Sequence, residues 1–511
     1  MAVARTHSVA LLGLTGAVVE IEADISGTLP GFTLIGLPDS ALSEAQHRVR
    51  AAATNSGCAL TSHKLTINLS PAALPKHGSG FDLGIAMACL AAAGNVGAES
   101  VDRVLHLGEL GLDGRLRPGV GVLPAVLAAA RAGFTTVMVP AGNADEASLV
   151  PSVRVVGVAS LRDAAIWHGG DYDPRPVDPL LPPASTDCET QPVLDLADVI
   201  GNADAVEALQ VAAAGGHHMF LLGPPGAGKT MLASRLPGIL PPLDADAALE
   251  VTSMRSLSGL PVGRALMTTP PFESPHHTAT AAALVGGGSG QIRPGAAARA
   301  SCGVLFLDEA PEFSSAVLDA LRQPLESGVI SIHRARSTAH FPARFQLVLA
   351  ANPCPCGNYG VRDAECSCPP QARRRYLGRL SGPLLDRIDI QLRVQRITST
   401  ALKLGEAPTA TSAAARQRVQ AARAAAADRL SESPWRVNGE VPGSWLRGPG
   451  RRLPSPVTAV LDRALERGGI TMRGYDRVLR VAWTLADLDS ATSPTADHLG
   501  RALYLRRAIS A

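Results

Sequence analysis

The chain has 511 residues, 46% of them apolar, and a formal net charge of +2. That length and composition allow three or four domains with real cores, and exclude a disordered chain or one that holds nucleic acid through a global basic field. The longest apolar run, near 83–93, is too short for a membrane span, and the eight cysteines, four scattered and four clustered, are no secreted disulfide framework, so a cytoplasmic protein without a membrane partner is expected.

Residues 1–168 mix short strands with helices. Arg5 followed by the apolar stretch 9–19 has the outline of a signal peptide. Glu20 and Glu22 follow at once, however, and the alternation of Val18, Val19 and Ile21 suits a strand. Strands are expected over 18–25, 32–37, 64–69, 137–140 and 153–158. Helices are expected over 40–56, started by Asp39 or Ser40 as N-cap, and over 81–93 and 123–132. The pattern is that of an α+β domain.

Two stretches here, Leu74-Pro-Lys-His-Gly-Ser-Gly-Phe-Asp-Leu-Gly-Ile-Ala86 and Gly108-Glu-Leu-Gly-Leu-Asp-Gly-Arg-Leu-Arg-Pro118, resemble the proteolytic domain of Lon-type proteases. That fold is shared with part of ribosomal protein S5. The resemblance implies a serine nucleophile activated by a lysine. In this chain the serine's place falls on Asp82 or Gly80, depending on which end of the motif is matched, and the lysine's on Leu123. The expectation is a protease-like domain that is proteolytically inactive, with Ser79 as the nearby hydroxyl. Residues 169–193 form the next boundary: six prolines between 171 and 193 describe an extended, semi-rigid linker.

A second domain is expected over 194–396. Asp195-Leu-Ala-Asp-Val-Ile-Gly-Asn202 leads into a helix over 203–214, and such a segment resembles the one that lies over the adenine in AAA+ ATPases. Next, the apolar Met219-Phe-Leu-Leu222 runs into Gly223, Pro224, Pro225, Gly226, Ala227, Gly228, Lys229 and Thr230, and a helix follows. Strand, glycine-rich turn, helix is the context a phosphate-binding loop requires. The turn aims backbone N–H groups at one point, where the helix dipole also favours an anion. Lys229 would reach the β- and γ-phosphates of ATP, and Thr230 would offer its hydroxyl to Mg²⁺.

Val304-Leu-Phe-Leu-Asp-Glu309 reads as a buried strand ending in two carboxylates, Asp308 to hold Mg²⁺ and Glu309 to polarise the attacking water. A β-hairpin is expected over 329–341, carrying His333, Arg334, Arg336 and His340. Facing a ring's pore, Arg334 and Arg336 would grip DNA phosphates; otherwise the hairpin is a solvated tip. Phe345-Gln-Leu-Val-Leu-Ala-Ala-Asn352 is another buried strand, with Asn352 placed to help orient the water. Cys354, Cys356, Cys366 and Cys368 follow as two C-x-C pairs, four thiolates that suit a structural Zn²⁺ or stand unligated. The pairs His217-His218 and His276-His277 lack companion ligands at metal spacing and are read as structural.

Residues 397–511 read as an α-helical lid, with helices over 398–429 and three more over 455–511. In Leu380-Ser-Gly-Pro-Leu-Leu-Asp-Arg-Ile-Asp-Ile390, Arg387 resembles the arginine finger of the AAA+ class, acting on a neighbouring subunit's phosphate. Arg473 falls in the first turn of a helix, where a cation opposes the dipole, so an anion-contacting role is expected. It resembles the second sensor arginine, on its own or a neighbour's nucleotide.

Together with Pro275-His-His-Thr-Ala-Thr-Ala-Ala-Ala-Leu-Val-Gly-Gly-Gly288, these stretches resemble magnesium-chelatase-like AAA+ proteins of the YifB/ComM type over nearly the whole chain. The resemblance implies a multidomain fold: a Lon-protease/ribosomal-S5-like α+β N-domain, an α/β P-loop core and the helical lid. It implies an ATP- and Mg²⁺-dependent homo-hexameric DNA motor promoting branch migration on single-stranded or branched DNA. The alternatives are a chelatase motor subunit driving metal insertion, or a nucleotide-dependent scaffold.

Overall fold

The computed structural model describes residues 3–26, 30–36, 39–182, 194–288, 292–334, 337–360, 365–396 and 410–506. The N-terminal part is built on a seven-stranded mixed sheet. Its strands lie in the order Gly31–Ile35, Lys64–Ser70, Thr15–Ser26, Ala4–Leu12, Leu105–His106, Thr136–Pro140 and Arg154–Val158. Ala4–Leu12 pairs antiparallel with Thr15–Ser26, from Ala4 opposite Ala23 to Leu12 opposite Thr15. This leading strand is not among the sequence expectations, and its composition explains why. Thr6 and Ser8 are fully buried on its inner face, so the usual apolar alternation is broken. Thr6 is satisfied there by the ring of His106, 2.7 Å away.

The helix expected over 40–56 is divided into Ser40–Ser43 and Ala45–Asn55, and Asp39 caps the first through the Leu42 N–H at 2.7 Å. The apolar helix Asp82–Ala92 is buried almost throughout and forms the centre of this domain's core. Of the proline-rich segment, residues 169–182 carry no regular structure and stay close to the domain, with Arg162 donating to the Asp173 carbonyl at 2.9 Å. Residues 183–193 lie outside the described residues.

The second part is organised by a five-stranded sheet in the order Phe272–Glu273, Val304–Leu307, Gln346–Ala351, Met219–Leu222, Ile390–Arg393. All four pairings are parallel. Met219–Leu222, Val304–Leu307 and Gln346–Ala351 are buried at every position, as a parallel sheet covered on both faces demands. Parallel strands end together. The glycine-rich turn, Asp308-Glu309 and Asn352 therefore emerge at one edge of the sheet, where ligands of open α/β sheets bind.

The hairpin forms as expected, Val329–Arg334 against Ser337–Pro342. The N-terminal domain rests against its root, since Leu11 and Leu14 pack on the apolar cluster that contains Phe341. Nearby, the Gly121 N–H donates to the Ser256 carbonyl at 3.0 Å.

In the C-terminal part, helices Ser412–Arg429, Ser455–Glu466, Met472–Leu488 and Ala496–Tyr504 share one hydrophobic cluster with Ala203–Gly215 and Lys229–Ile239. Residues 397–409, part of the helix expected over 398–429, lie outside the described residues. A buried polar knot ties these helices to the sheet: Asp389 takes the His217 ring at 3.0 Å and Arg477 at 2.5 Å.

Candidate functional site

The loop Gly223–Thr230 owes its shape to its glycines. Gly226 and Gly228 hold φ of 74° and 86°, a region other residues avoid. Gly228 is also the residue from which the helix Lys229–Ile239 starts. Lys229 is buried, and its ammonium donates to the carbonyls of Gly223 at 2.7 Å and Pro224 at 3.0 Å, and to Asn352 Oδ1 at 3.1 Å. Burial pushes its pKa down, against the opposing pull of Asp308 and Glu309. An arriving phosphate would offer this desolvated cation a full negative charge in place of neutral carbonyls. Arg396 buttresses the loop from outside, donating to the Pro225 carbonyl at 3.0 Å.

Thr230 donates its hydroxyl to Asp308 Oδ2 at 2.6 Å. A hydroxyl and a carboxylate held together beside a helix N-terminus are the hard oxygen donors that Mg²⁺ takes in nucleotide sites. Glu309, next along, is exposed and adopts a left-handed backbone, φ 50°. Non-glycine residues hold that conformation at a cost and concentrate at functional sites. Its carboxylate lies 3.4 Å from His277 Nδ1. The sequence reading of His277 as structural misses this contact, because only the fold brings the segment around 277 back to residue 309. His217, by contrast, is buried between Asp389 and Thr484.

Arg387 and Arg473 are not part of this cluster. Arg387 precedes the strand Ile390–Arg393, in which Ile390 lies opposite Met219 at the far end from Gly223. Four strand residues at ~3.3 Å each, roughly 13 Å, separate that end of the strand from the loop. Its guanidinium meets Glu326 and the Pro383 carbonyl, not Asp386 or Asp389. Arg473, in the first turn of Met472–Leu488, pairs with Asp386 at 3.1 Å. Both arginines thus occupy one edge, opposite the glycine-rich loop.

Arg334 ends the first hairpin strand, half-buried, whereas Arg336 lies outside the described residues. Cys354, Cys356, Cys366 and Cys368 converge, their sulfurs all within 4.8 Å of one another.

In the N-terminal domain Asp82 is buried and bonded twice by Arg48, at 2.7 and 3.0 Å. Ser79 donates to the Glu109 carboxylate. Lys76 is fully buried and donates to the carbonyls of Gly36, Leu69 and Pro71, while Leu123 is a core residue. Ser79 thus meets a carboxylate rather than the lysine of a Ser–Lys pair, Asp82 carries no hydroxyl, and the Lys76 ammonium is committed to backbone carbonyls.

The family described as magnesium chelatase, subunit ChlI, matches residues 195–402. Its companions match 21–143 (subunit ChlI of Mg-chelatase) and 409–506 (subunit ChlI C-terminal). An uncharacterised protein of Mycobacterium tuberculosis is 50% identical over 511 residues, 99% of each chain. The competence protein ComM of Haemophilus influenzae is 40% identical over 506 residues, covering 99% of this chain and 98% of its own. The Lon protease of Mycolicibacterium smegmatis is 32% identical over 149 residues, 28% of this chain and 19% of its own. Among the described residues no helix is long and apolar enough to cross a membrane.

Proposed function

The chain belongs to the magnesium-chelatase-like AAA+ proteins of the ComM/YifB type, and from that premise we propose that it is an ATP-driven DNA motor, a homo-hexameric ring that promotes branch migration during recombination in the cytoplasm. The observation that carries the ATPase is the pairing of Lys229 with Asn352 and of Thr230 with Asp308 at one edge of a parallel sheet. The loop from Gly223 to Thr230 binds the triphosphate. Thr230 and Asp308 would hold Mg²⁺, which would supply neutralisation of the phosphate charge. Glu309 orients and deprotonates the attacking water, held ready by His277 until nucleotide is in place. Asn352 fixes the γ-phosphate end of the site together with Lys229.

Arg387 and Arg473 serve a neighbouring subunit. Their shared edge, remote from their own Lys229, supports this reading: an arginine that cannot reach its own phosphate is free to complete the next site. Each hydrolysis site is then built from two copies. The hairpin carrying Arg334 and Arg336 grips the DNA backbone, and six copies of a modest patch make a basic channel even at low net charge. The name of the ComM relative, a competence protein, supports DNA as the substrate. The units of the motor are residues 1–168, a Lon-like domain with the Arg48–Asp82 pair where a nucleophile would stand; the linker 169–193; the core 194–396; and the helical lid 397–511. A structural Zn²⁺ on the four clustered cysteines completes the cofactor set.

DNA-stimulated ATP hydrolysis tests this reading. Lys229→Ala abolishes hydrolysis, and Arg334→Ala with Arg336→Ala removes the increment caused by DNA. Hydrolysis that never responds to any DNA favours a chelatase-type motor over a DNA motor.

A further inference from the structure

The sulfurs of Cys354 and Cys356 lie 3.3 Å apart, and that of Cys366 lies 3.7 Å from each. A disulfide would need ~2.05 Å. Thiolates bound to tetrahedral Zn²⁺ at ~2.3 Å stand ~3.8 Å from one another. With Cys368 inside the same 4.8 Å group, the set has the count and spacing of a closed Zn site. Four soft sulfur donors without an oxygen ligand select Zn²⁺ over Mg²⁺. Binding releases the thiol protons and changes no oxidation state. A hydrogen bond from the Tyr359 N–H reaches the Cys354 sulfur at 3.3 Å, the kind of outer contact that orients a ligand. Tyr359 in turn carries the Arg373 guanidinium 3.8 Å over its ring, which ties in the helix Pro370–Leu377.

The position of this cluster matters more than its existence. Cys354 is fully buried and stands two residues beyond Asn352, which touches the Lys229 ammonium. The turn from Cys354 closes through the Gly357 N–H on the Cys354 carbonyl at 2.9 Å. Gly357 has φ 79°, and a β-carbon there would fall 2.5 Å from Cδ of Pro225. The turn thus seats directly on the phosphate loop, at a residue with no side chain of its own. One short segment meets the nucleotide site twice, through Asn352 at its start and Gly357 at its turn.

We propose that Cys354, Cys356, Cys366 and Cys368 hold a zinc ion that braces the phosphate loop, so that nucleotide affinity depends on zinc occupancy. The proposal rests on the reading of Gly223–Thr230 as the ATP site. Without the metal the two C-x-C pairs keep only weak ties such as the Asn358 amide on the Glu365 carbonyl at 3.4 Å, and the Gly357 turn is free to leave Pro225. A misplacement of ~1 Å at a reacting site can cost ~100-fold in rate.

The test uses the full chain, purified under reducing conditions without chelator. Metal analysis is expected to find one zinc per chain, and Cys356→Ser with Cys368→Ser to lose it. Titration with a fluorescent ATP analogue is expected to show affinity falling about tenfold after a strong chelator removes the zinc. Affinity then returns with zinc chloride but not with magnesium chloride. Gly357→Ala is expected to keep the zinc and still bind nucleotide more weakly, separating the brace from the metal site itself. Purified protein without zinc, or zinc-free protein with unchanged affinity, overturns the proposal. Gly357→Ala with unchanged affinity overturns the brace. A zinc-loaded chain that binds no nucleotide at all refutes the ATP-site reading and leaves the metal site standing.

Discussion

Asn352 Oδ1 accepts a hydrogen bond from the Lys229 ammonium at 3.1 Å, although 123 residues separate the two in sequence. The contact exists because Gln346–Ala351 and Met219–Leu222 are adjacent parallel strands, with Ala351 opposite Leu222. On the proposed reading it joins the group that binds phosphate to the group that senses it. Replacing Asn352 with Ala is expected to lower kcat for ATP hydrolysis by about 100-fold, the usual cost of one oriented donor or acceptor in a polar site. Binding of ATP, read by titration on the same variant, is expected to change little. An unchanged kcat would remove Asn352 from the hydrolytic site.

Arg387 and Arg473 lie on the edge opposite that contact. Arg387→Ala is expected to lose about 10³-fold in hydrolysis, as an arginine finger does. Lys229→Ala is expected to be inactive for a different reason, the loss of the phosphate-binding cation. Mixing the two variants is expected to restore part of the activity, because an intact loop from one copy meets an intact Arg387 from the next. Two inactive proteins that stay inactive in every ratio would mean that each site is complete within one chain.

Asp389 supplies a pH-dependent anchor between sheet and helices. Burial disfavours its charge, but Arg477, His217 and Arg480 outweigh this and hold its pKa far below the ordinary 3.8. A carboxylate depressed in the folded state adds stability that is fully present above its unfolded pKa and fades as pH falls below it. Asp389→Asn is expected to cost about 3 kcal/mol at neutral pH, since Arg477 is left without its buried partner. Urea unfolding is expected to show that difference shrinking as pH drops below about 4. A variant as stable as the parent at pH 7 would contradict this.

In the N-terminal domain Asp82 is held by Arg48, and Ser79 meets Glu109 rather than a lysine. The purified protein is expected to leave casein intact, with or without ATP, and Ser79→Ala to change nothing. Arg48→Met is expected to destabilise this domain by about 3 kcal/mol, because Asp82 stays buried and unpaired. Casein cleavage that disappears in Ser79→Ala would reinstate a protease.

Much of this site is legible in the sequence because its chemistry sits at strand ends. Four-residue apolar runs before Gly223 and Asp308, and the longer one before Asn352, identify buried parallel strands, and buried strands of one sheet finish together. What stayed hidden depends on chain return rather than on local pattern. His277 meets Glu309, and Gly357 meets Pro225, only through the folded path of the chain. The strand Ala4–Leu12 was concealed because Thr6 and Ser8 occupy its buried face, where a polar side chain satisfied by His106 replaces an apolar one. The Glu326 partner of Arg387 was equally unreadable, since Arg387 has Asp386 and Asp389 closer in sequence and pairs with neither.

On the proposed function, hydrolysis at Lys229 and Glu309 moves DNA. The most direct measurement follows a synthetic four-way junction with labelled arms in the presence of the protein, ATP and Mg²⁺. Resolution of the junction into two duplexes is predicted with ATP, with none for Lys229→Ala or Glu309→Gln. A junction that stays intact while the same protein hydrolyses ATP at full rate would contradict it.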